Sequence, residues 1–145
     1  GCVYNEQDVS LKLREALLLK YAAYDSPVIT SSSAIVTKNS IIDNGSVIFE
    51  QAVINRAHIG KYCVVNTGTI IEHNCNLGDN VFTGSGALIC GNCTIGNNVF
   101  IGSGAIIRDG ICIADNVIVG MGSIVTKSIF EAGIYYGNPV RKMRS

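Results

Sequence analysis

The sequence predicts an all-β chain wound as a parallel β-helix, because three features recur every six residues. An aliphatic side chain returns at each interval, a small side chain follows four positions later, and glycine, asparagine or aspartate is frequent between them. A helical period of 3.6 residues cannot sustain a repeat of six, and simple strand alternation would not place turn formers at every sixth position. A coil of three short strands, each six residues long with its corner, accounts for both patterns.

The repeat defines two rows of side chains that we expect to point inward. The first row has one non-aliphatic member and consists of Ile35, Ile41, Val47, Val53, Ile59, Val65, Ile71, Leu77, Thr83, Ile89, Ile95, Ile101, Ile107, Ile113, Val119 and Val125. The second row is small or short and consists of Gly45, Ala57, Cys63, Thr69, Cys75, Val81, Ala87, Cys93, Val99, Ala105, Val117 and Ser123. These units make about five coils, stacked about 4.8 Å apart.

The cysteines fit the repeat better than a disulfide or metal framework. Cys63, Cys75 and Cys93 fall in the small-residue row, where we expect reduced packing residues. Cys90 and Cys93 form a C-x-x-C pair, but no second Cys or His pair at ligand spacing accompanies them. The sequence therefore predicts no metal site.

Composition excludes several classes of function. The 145-residue chain has 48% hydrophobic residues and a formal net charge of zero, which fits one ordered domain without the basic surface that nucleic acid binding requires. No apolar stretch approaches the length of a membrane helix, and no secretory signal is visible. We therefore expect no nucleic acid partner, no membrane insertion and a cytoplasmic location.

Both ends depart from the repeat. Residues 2 to 4 are predicted to form a short strand, and Ser10 is a candidate N-cap for an amphipathic helix that continues to Tyr21. From Phe130 the six-residue register is lost, and Gly137-Asn138-Pro139 interrupts regular structure. We expect the C-terminal stretch to cap the prism or to fold back along its side.

The segment from Asn66 to Cys75 carries the candidate chemistry. Glu72 and His73 directly follow the inward Ile71, so the imidazole should project from the coil. An imidazole titrates near neutrality and suits proton removal from an acceptor group. The other histidine, His58, lies in a hexad flanked by Lys and Arg and is predicted to be an ordinary surface residue.

Over residues 26 to 143 the chain resembles the sugar acyltransferases of the NeuD and PglD type, within the hexapeptide-repeat family. The resemblance is carried by Asn66-Thr67, by His73 after a hydrophobic pair and an acid, by Cys75 and Gly78-Asp79, and by the closing Gly-x-Pro-x-Arg/Lys pattern. It implies a left-handed helix and transfer of acetyl from acetyl-CoA to a sugar or nucleotide-sugar without a covalent enzyme intermediate. The implied organisation is a remnant of a nucleotide-sugar-binding domain at 1–25, the β-helix at 26–129 and a cap at 130–145.

The resemblance also assigns roles to individual residues. His73 would be the general base, Asn66 would contact the acceptor sugar, and Phe82 stands where the family often has a second histidine that contacts the acetyl group. The family usually has an acid after the base, where this chain has Asn74, so either Glu72 orients the base and a backbone N–H polarises the thioester, or the chemistry is slower or different. The remaining cofactor residues implied by the resemblance are Gly91, Ser103 and Met121 along the pantetheine groove, and Arg141 and Lys142 at the CoA phosphates.

A homotrimer is expected, because apolar residues directly before the inward anchors would lie on outer faces that need cover; they are Val64, Ile70, Phe82, Leu88, Phe100 and Ile106.

Two other functions stay open: acetylation of a non-sugar acceptor such as serine or an antibiotic, and a noncatalytic β-helix scaffold. A zinc enzyme of the carbonic-anhydrase type needs three histidines, and the chain has two. The sequence leaves the acceptor and the choice between O- and N-acetylation open.

Overall fold

The computed structural model describes residues 12–20 and 22–144. Residues 12–20 form a helix, α1, in agreement with the helical part of the predicted N-terminal segment. The strand predicted at residues 2 to 4 and the predicted cap Ser10 lie outside the described residues. No helix in the described ranges is long and apolar enough to cross a membrane.

Polar contacts join α1 to the side of the β-helix. Arg14 Nη2 donates to the carbonyl oxygen of Tyr62 at 2.9 Å, and Asn98 Nδ2 donates to Glu15 Oε1 at 3.3 Å. Because Tyr62 and Asn98 belong to different coils, α1 spans more than one coil. Its apolar residue Leu13 stays 59% exposed, so the helix does not bury its whole apolar side against the β-helix.

After α1, the described part of the chain consists of short strands joined by tight corners. In chain order these are β1 (Ile29–Thr30), β2 (Ile35–Val36), β3 (Ile41–Ile42), β4 (Val47–Ile48), β5 (Val53–Ile54), β6 (His58–Ile59), β7 (Val64–Val65), β8 (Ile70–Ile71), β9 (Asn76–Leu77), β10 (Phe82–Thr83), β11 (Leu88–Ile89), β12 (Thr94–Ile95), β13 (Phe100–Ile101), β14 (Ile106–Ile107), β15 (Cys112–Ile113), β16 (Val117–Val119), β17 (Ile124–Val125), β18 (Gly133–Gly137) and β19 (Val140–Lys142).

Three sheets form the faces of a prism. Sheet A has the order β1-β4-β7-β10-β13-β16-β18-β19, sheet B contains β2, β5, β8, β11, β14 and β17, and sheet C contains β3, β6, β9, β12 and β15. Neighbouring strands are parallel except β18 and β19, which are antiparallel. Three successive strands thus make one coil, which confirms the predicted parallel β-helix.

Three corners connect the faces. Corner AB, between sheets A and B, comprises residues 66–69, 84–87, 102–105 and 120–123 on successive coils. Corner BC comprises residues 72–75, 90–93 and 108–111. Corner CA comprises residues 60–63, 78–81 and 96–99. Residues of one corner that are 18 positions apart stack on each other, as the pairing of Val64 with Phe82 shows for the strands.

From Ala57 and Ile59 onward, the two predicted inward rows form the core. Residues such as Ile59, Val65 and Ile71 are fully buried, and each aliphatic side chain of this size contributes about 1.5 to 3 kcal/mol by its burial. The single polar anchor, Thr83, is satisfied in the core, because its hydroxyl bonds Thr69 Oγ1 at 3.3 Å.

The register predicted for the first coils is wrong by one residue. The buried members are Ile48 and Ile54, whereas the predicted Val47 and Val53 are only half-buried. Ile54 and Ile59 are the buried residues of β5 and β6, and the interval between them is five residues rather than six. In the same register, Ile42 pairs with Ile59. The corner around Arg56 is one residue shorter, and its backbone takes a positive φ of 49°.

The shorter corner also corrects the second inward row. Ser46 is fully buried, in place of the predicted Gly45. Its Oγ donates to the carbonyl oxygen of Gly60 at 2.7 Å and accepts from the backbone N–H of Cys63 at 2.9 Å. A buried hydroxyl that both donates and accepts a hydrogen bond costs little free energy of folding, which explains why a polar residue is tolerated at this position.

The prism has about six coils, one more than the predicted five. The extra coil begins at β1, one hexad before the first predicted anchor, and Ile129 pairs with Ile113 to extend sheet C at the other end. The C-terminal segment then caps sheet A, as Tyr135 pairs with Val119 before the chain turns at residues 137–139 into β19. The domain boundaries assigned from the sequence stay a prediction.

The five described cysteines are free. Cys63, Cys75 and Cys93 are buried in the small-residue row, whereas Cys90 is half-buried and Cys112 is exposed. Burial raises the pKa of the Cys63 thiol to about 11 from its ordinary 9.0, because the charged thiolate is poorly solvated in the core.

This shift predicts a loss of stability at high pH. Below pH 9.0 the Cys63 thiol is protonated in both states; between 9.0 and about 11 it ionises in the unfolded chain only. The free energy of unfolding should therefore fall by about 3 kcal/mol over this window on account of Cys63. Urea denaturation at several pH values measures the slope, and Cys63→Ala is the control. Equal slopes for both proteins would contradict the expectation.

Candidate active site

His73 lies at corner BC, directly after β8. Ile71 is fully buried, so the next residues leave the core, and Asn74 takes a positive φ of 58° that turns the chain toward sheet C. Asparagine tolerates this left-handed conformation better than most residues. The local sequence therefore holds the imidazole at the edge of the prism, where it is half-buried rather than fully projecting.

The imidazole of His73 is seated on Gly91, the equivalent residue of the next coil. A Cβ on Gly91 would lie 2.7 Å from Cε1 and 2.8 Å from Nε2 of His73. Real Cβ atoms essentially never approach another heavy atom this closely, so the ring lies in this position only because residue 91 is glycine. Gly91 is thus a direct neighbour of the candidate base.

Asparagine side chains line the other edge of the ring. Asn74 Nδ2 lies 3.4 Å from His73 Nδ1, and it also donates to Asn92 Oδ1 at 3.2 Å. Asn92 occupies the stacked position on the next coil and has the same left-handed backbone, with φ of 61°. The two amides form a short column along corner BC beside the imidazole.

Glu72 has a different partner. Its Oε2 accepts from Asn55 Nδ2 at 3.0 Å, so the carboxylate is held toward the preceding coil. On the following coil, burial raises the pKa of the Cys90 thiol, with further contributions from Cys93, Asp109 and Glu72. Cys90 is therefore disfavoured as a thiolate, which makes it a poor nucleophile in this corner.

Corner AB exposes bare backbone on successive coils. Gly68, Gly86, Gly104 and Gly122 all have positive φ near 65°, and no atom lies within 4 Å of where their Cβ would be. Gly84 and Gly102 are required for a different reason, since a Cβ there would clash with the backbone of the next coil at 2.4 Å. The result is an edge with open, exposed backbone at one glycine on each coil.

Ser103 and Met121 lie on this edge, one coil apart. Both side chains are exposed, Met121 by 64%. Asn66 lies lower on the same corner, where its Nδ2 donates to the carbonyl oxygen of Thr83 at 2.9 Å. Three of the predicted ligand-binding residues thus share corner AB.

The C-terminal hairpin closes the upper end of corner AB. Tyr135 pairs with Val119, which places Tyr136 beside Gly120, next to Met121, and Arg141 pairs with Tyr136 across the hairpin. A cleft of about 480 Å³ opens there; it is lined by Tyr136, Gly137, Asn138, Pro139, Arg141, Lys142, Met143 and Arg144. Its lining carries three cationic side chains.

The two predicted cations differ in their surroundings. Lys142 Nζ lies 2.6 Å from Glu131 Oε1, so this ammonium already has a carboxylate partner. Arg141 is exposed and on the opposite side of the strand. Phe82 is separate from both corners: it lies on the outer side of sheet A, where it stacks on Phe100 with ring centroids 4.8 Å apart.

Within one chain the predicted site residues therefore form two groups. Glu72, His73 and Gly91 meet at corner BC, whereas Asn66, Ser103, Met121 and Arg141 lie along corner AB. Sheet B separates the two corners. Asn55, Asn92 and Tyr136 were not singled out from the sequence, although Asn92 follows Asn74 by 18 residues and the stacking period could have identified it. In the described ranges, no group of three His, Cys, Asp or Glu residues could hold a metal ion.

The repeats of this chain match two family models. Residues 92–127 match the bacterial transferase hexapeptide (six repeats), and residues 68–101 match the hexapeptide repeat of succinyl-transferase. No curated protein matches the chain. Residues 68–127 thus carry repeats similar to those of the hexapeptide transferases that these models describe.

Several solved structures share its fold. A histidine-to-asparagine mutant of perosamine N-acetyltransferase from Caulobacter crescentus, in complex with CoA and GDP-perosamine, is 25% identical with a TM-score of 0.89, covering 93% of this chain and 66% of that one. The acetyltransferase domain of PglB from Neisseria gonorrhoeae, in complex with acetyl coenzyme A, is 29% identical with a TM-score of 0.88, covering 92% and 66%. WeeI from Acinetobacter baumannii is 28% identical with a TM-score of 0.80, covering 94% and 67%. The chain therefore spans just under two thirds of the first two proteins.

The contact between His73 and Gly91 predicts that substitutions at the two residues have non-additive effects on the free energy of unfolding. The three atoms nearest to the Cβ of Gly91→Ala all belong to the movable imidazole, so the chain should fold while the ring is displaced. In a His73→Ala background the clash is gone, and Gly91→Ala should be neutral or slightly stabilising, since alanine restricts the unfolded chain. Urea denaturation of the double-mutant cycle should give a coupling free energy of about 1 kcal/mol. Additive effects of the two substitutions would show that the ring does not rest on Gly91.

Proposed function

We propose that this hexapeptide-repeat chain transfers an acetyl group from acetyl-CoA to an amino or hydroxyl group of a nucleotide-linked sugar, with His73 as general base. The observation that carries the proposal is the imidazole of His73, seated on Gly91 at a rigid corner of a fold shared with solved structures that contain CoA or acetyl-CoA. A histidine at the edge of the prism can reach an acceptor group outside the coil.

The chemistry needs one proton acceptor and one thioester. The acceptor nitrogen or oxygen attacks the carbonyl carbon of acetyl-CoA while His73 Nε2 takes its proton. The tetrahedral intermediate then collapses, the carbon–sulfur bond breaks, and the thiolate of CoA leaves and recovers the proton from the imidazolium. A backbone N–H at corner BC, such as that of Gly91, would stabilise the developing oxyanion. Glu72 is the alternative support for the base, and Phe82 is the proposed contact for the acetyl group.

Corner AB offers a place for the cofactor. The pantetheine arm can lie along the open glycine edge past Ser103 and Met121, and the phosphates can reach the cleft of the C-terminal hairpin. Arg141 is the better phosphate ligand, because a guanidinium pairs with two phosphate oxygens and Lys142 is engaged with Glu131. We propose that binding requires no metal.

The acceptor proposal follows the likeness to perosamine N-acetyltransferase, whose solved complex contains GDP-perosamine. An amino group on a nucleotide-linked sugar is therefore the first acceptor to test, and Asn66 is its proposed contact. Acetylation of serine or an antibiotic is the second candidate. A panel of UDP-, GDP- and TDP-aminosugars, sialic acid, serine and aminoglycosides, assayed for CoA release, separates these acceptors. The cytoplasmic location stays a prediction.

The complete site requires a second copy of the chain. Corners AB and BC lie on opposite edges of sheet B, so a cofactor on corner AB approaches a His73 only if that histidine belongs to a neighbouring protomer. The outer rows of sheets A and B are apolar, whereas the outer row of sheet C carries His58, Asn76 and Thr94. Two apolar faces and one polar face suit a closed ring with the active sites between protomers, which we propose to be a homotrimer.

Replacing His73 by alanine should lower kcat by roughly 10²- to 10⁴-fold, the usual contribution of a general base. The fold and the affinity for CoA should be retained, because the half-buried side chain belongs to neither inward row. The matched control is His58→Ala, whose imidazole pairs with Asp43 at 2.8 Å on another face. Steady-state kinetics on the best acceptor of the panel measures the effect. Full turnover by His73→Ala would show that another residue is the general base.

Acetyl-CoA binding should be unchanged by a chelator and weakened about tenfold by Arg141→Gln, since a charge-assisted phosphate bond is lost. Lys142→Gln should have a smaller effect, because Nζ is already paired with Glu131. Calorimetric titration with and without EDTA measures the three dissociation constants. Binding that depends on added metal, or equal effects of both substitutions, would contradict this assignment of the cofactor site.

Sedimentation velocity should show a trimer at micromolar concentration. Leu88→Glu places a charge on the apolar outer face of sheet B and should dissociate it, with loss of activity. Thr94→Glu places the same charge on sheet C and is expected to leave the assembly intact. A stable and active monomer would exclude a site between protomers.

A further inference from the structure

We propose that Asn74, supported by Asn92, positions the imidazole of His73 through an amide column in place of a carboxylate. This inference rests on the proposed role of His73 as base and adds two positioning residues to it. The column consists of two contacts: Asn74 Nδ2 to His73 Nδ1 at 3.4 Å, and Asn74 Nδ2 to Asn92 Oδ1 at 3.2 Å. An amide nitrogen carries two hydrogens, so both contacts can be made at once.

The contact between His73 and Gly91 does not by itself orient the imidazole, so we assign that role to these amides. The absent Cβ of Gly91 allows the ring to lie there, but it fixes neither which nitrogen carries the proton nor the rotation of the ring. A neutral imidazole has one protonated and one bare nitrogen, and the hydrogen bond at one nitrogen determines the state of the other. Asn74 is the side chain at Nδ1, so it controls which nitrogen faces an acceptor.

Glu72 is placed to act elsewhere. Its carboxylate accepts from Asn55 Nδ2 at 3.0 Å, on the coil before His73. Asn74 and Asn92 are instead held beside the ring by the backbone, because both adopt the left-handed conformation, with φ of 58° and 61°, and stack one coil apart. We therefore assign the positioning of the imidazole to the amides of Asn74 and Asn92.

An amide can serve His73 in either tautomer. In the arrangement of the structure, Asn74 offers Nδ2 to a bare Nδ1, which leaves the proton on Nε2. If both amides turn over together, Asn74 Oδ1 accepts from Nδ1–H and from Asn92 Nδ2, and Nε2 becomes the bare nitrogen that a base needs. The second arrangement also suits the imidazolium that forms after proton transfer. A carboxylate, which only accepts, would favour the protonated ring throughout.

Other titratable or charged groups surround this corner. Glu72 precedes His73, Arg56 lies on the coil below, and Cys90 and Asp109 follow on the coils above. All four stay in place in the Asn74, Asn92 and Asn116 variants, so differences in pH dependence among these variants report the residue that was substituted.

The experiment uses glycine to remove side chains without straining the positive-φ backbone. Asn74→Gly removes the amide at the ring, Asn92→Gly removes its support, and Asn116→Gly is the control, since Asn116 has the same φ of 58° at another corner. Asn74→Asp introduces the carboxylate that accepts only. Because the chain has two histidines, a His58→Gln background leaves His73 as the only imidazole signal.

Nitrogen-15 NMR of the His73 ring reads the position of the proton and needs no activity. The ring shifts should change in Asn74→Gly and, less strongly, in Asn92→Gly, but not in Asn116→Gly. In the kinetic arm, Asn74→Gly should lower kcat/KM about tenfold, as expected for one lost hydrogen bond. The acid limb of kcat/KM against pH should move about one pH unit upward in Asn74→Asp, because a carboxylate stabilises the imidazolium.

The two arms separate this inference from the proposed function. Unchanged ring shifts in Asn74→Gly, together with an unmoved acid limb in Asn74→Asp, would overturn the positioning role even if His73 is the base. An acid limb that moves in Glu72→Gln but not in Asn74→Asp would give the role to Glu72 and would also overturn it. If His73→Ala retains full turnover, the proposed base fails, while the ring shifts still decide whether the amides position the imidazole.

Discussion

The structure depends on the stacking of one coil on the next, with each residue above its equivalent 18 positions earlier, or 17 positions earlier across the shorter corner at Arg56. Parallel backbone hydrogen bonds impose this register, and the corners leave little room for deviation. Gly60, Gly78 and Gly96 show how tight the contact is, because a Cβ on any of them would lie within 3 Å of atoms of the following coil. The same constraint that aligns the core also places Gly91 against the imidazole of His73.

Much of the fold could be predicted because the sizes of the side chains recur every six residues along the sequence. From Ile59 onward, each buried anchor stands beside one turn-forming corner, and a single phase fits the pattern. Before Ile59, counting back in steps of six leads to Val53 and Val47, whereas the buried residues are Ile54 and Ile48, because the corner around Arg56 is one residue shorter. Both residues of these strands are aliphatic, so the hydrophobic pattern did not reveal the shift, and the backbone pairing was needed to show it.

The candidate site was predicted less completely, because its residues are neighbours across coils and not along the chain. His73 was identified through a resemblance and its exposed position, but its contacts with Gly91 and Asn92 need the 18-residue stacking. Glu72 precedes the imidazole in sequence, yet its carboxylate bonds Asn55 on the other side. Tyr136 reaches corner AB only through the C-terminal hairpin, which has no repeat from which to place it.

The five-residue step between Ile54 and Ile59 shows how this fold accommodates changes in chain length. One residue is missing there, yet both neighbouring strands keep their sheets, because the corner around Arg56 takes up the difference. A deletion within a strand would instead rotate every later side chain from the inside to the outside. During evolution, the interval between His73 and Gly91 can therefore change length only at its corners or by a whole coil, and a whole added coil would bring a new residue beneath the imidazole.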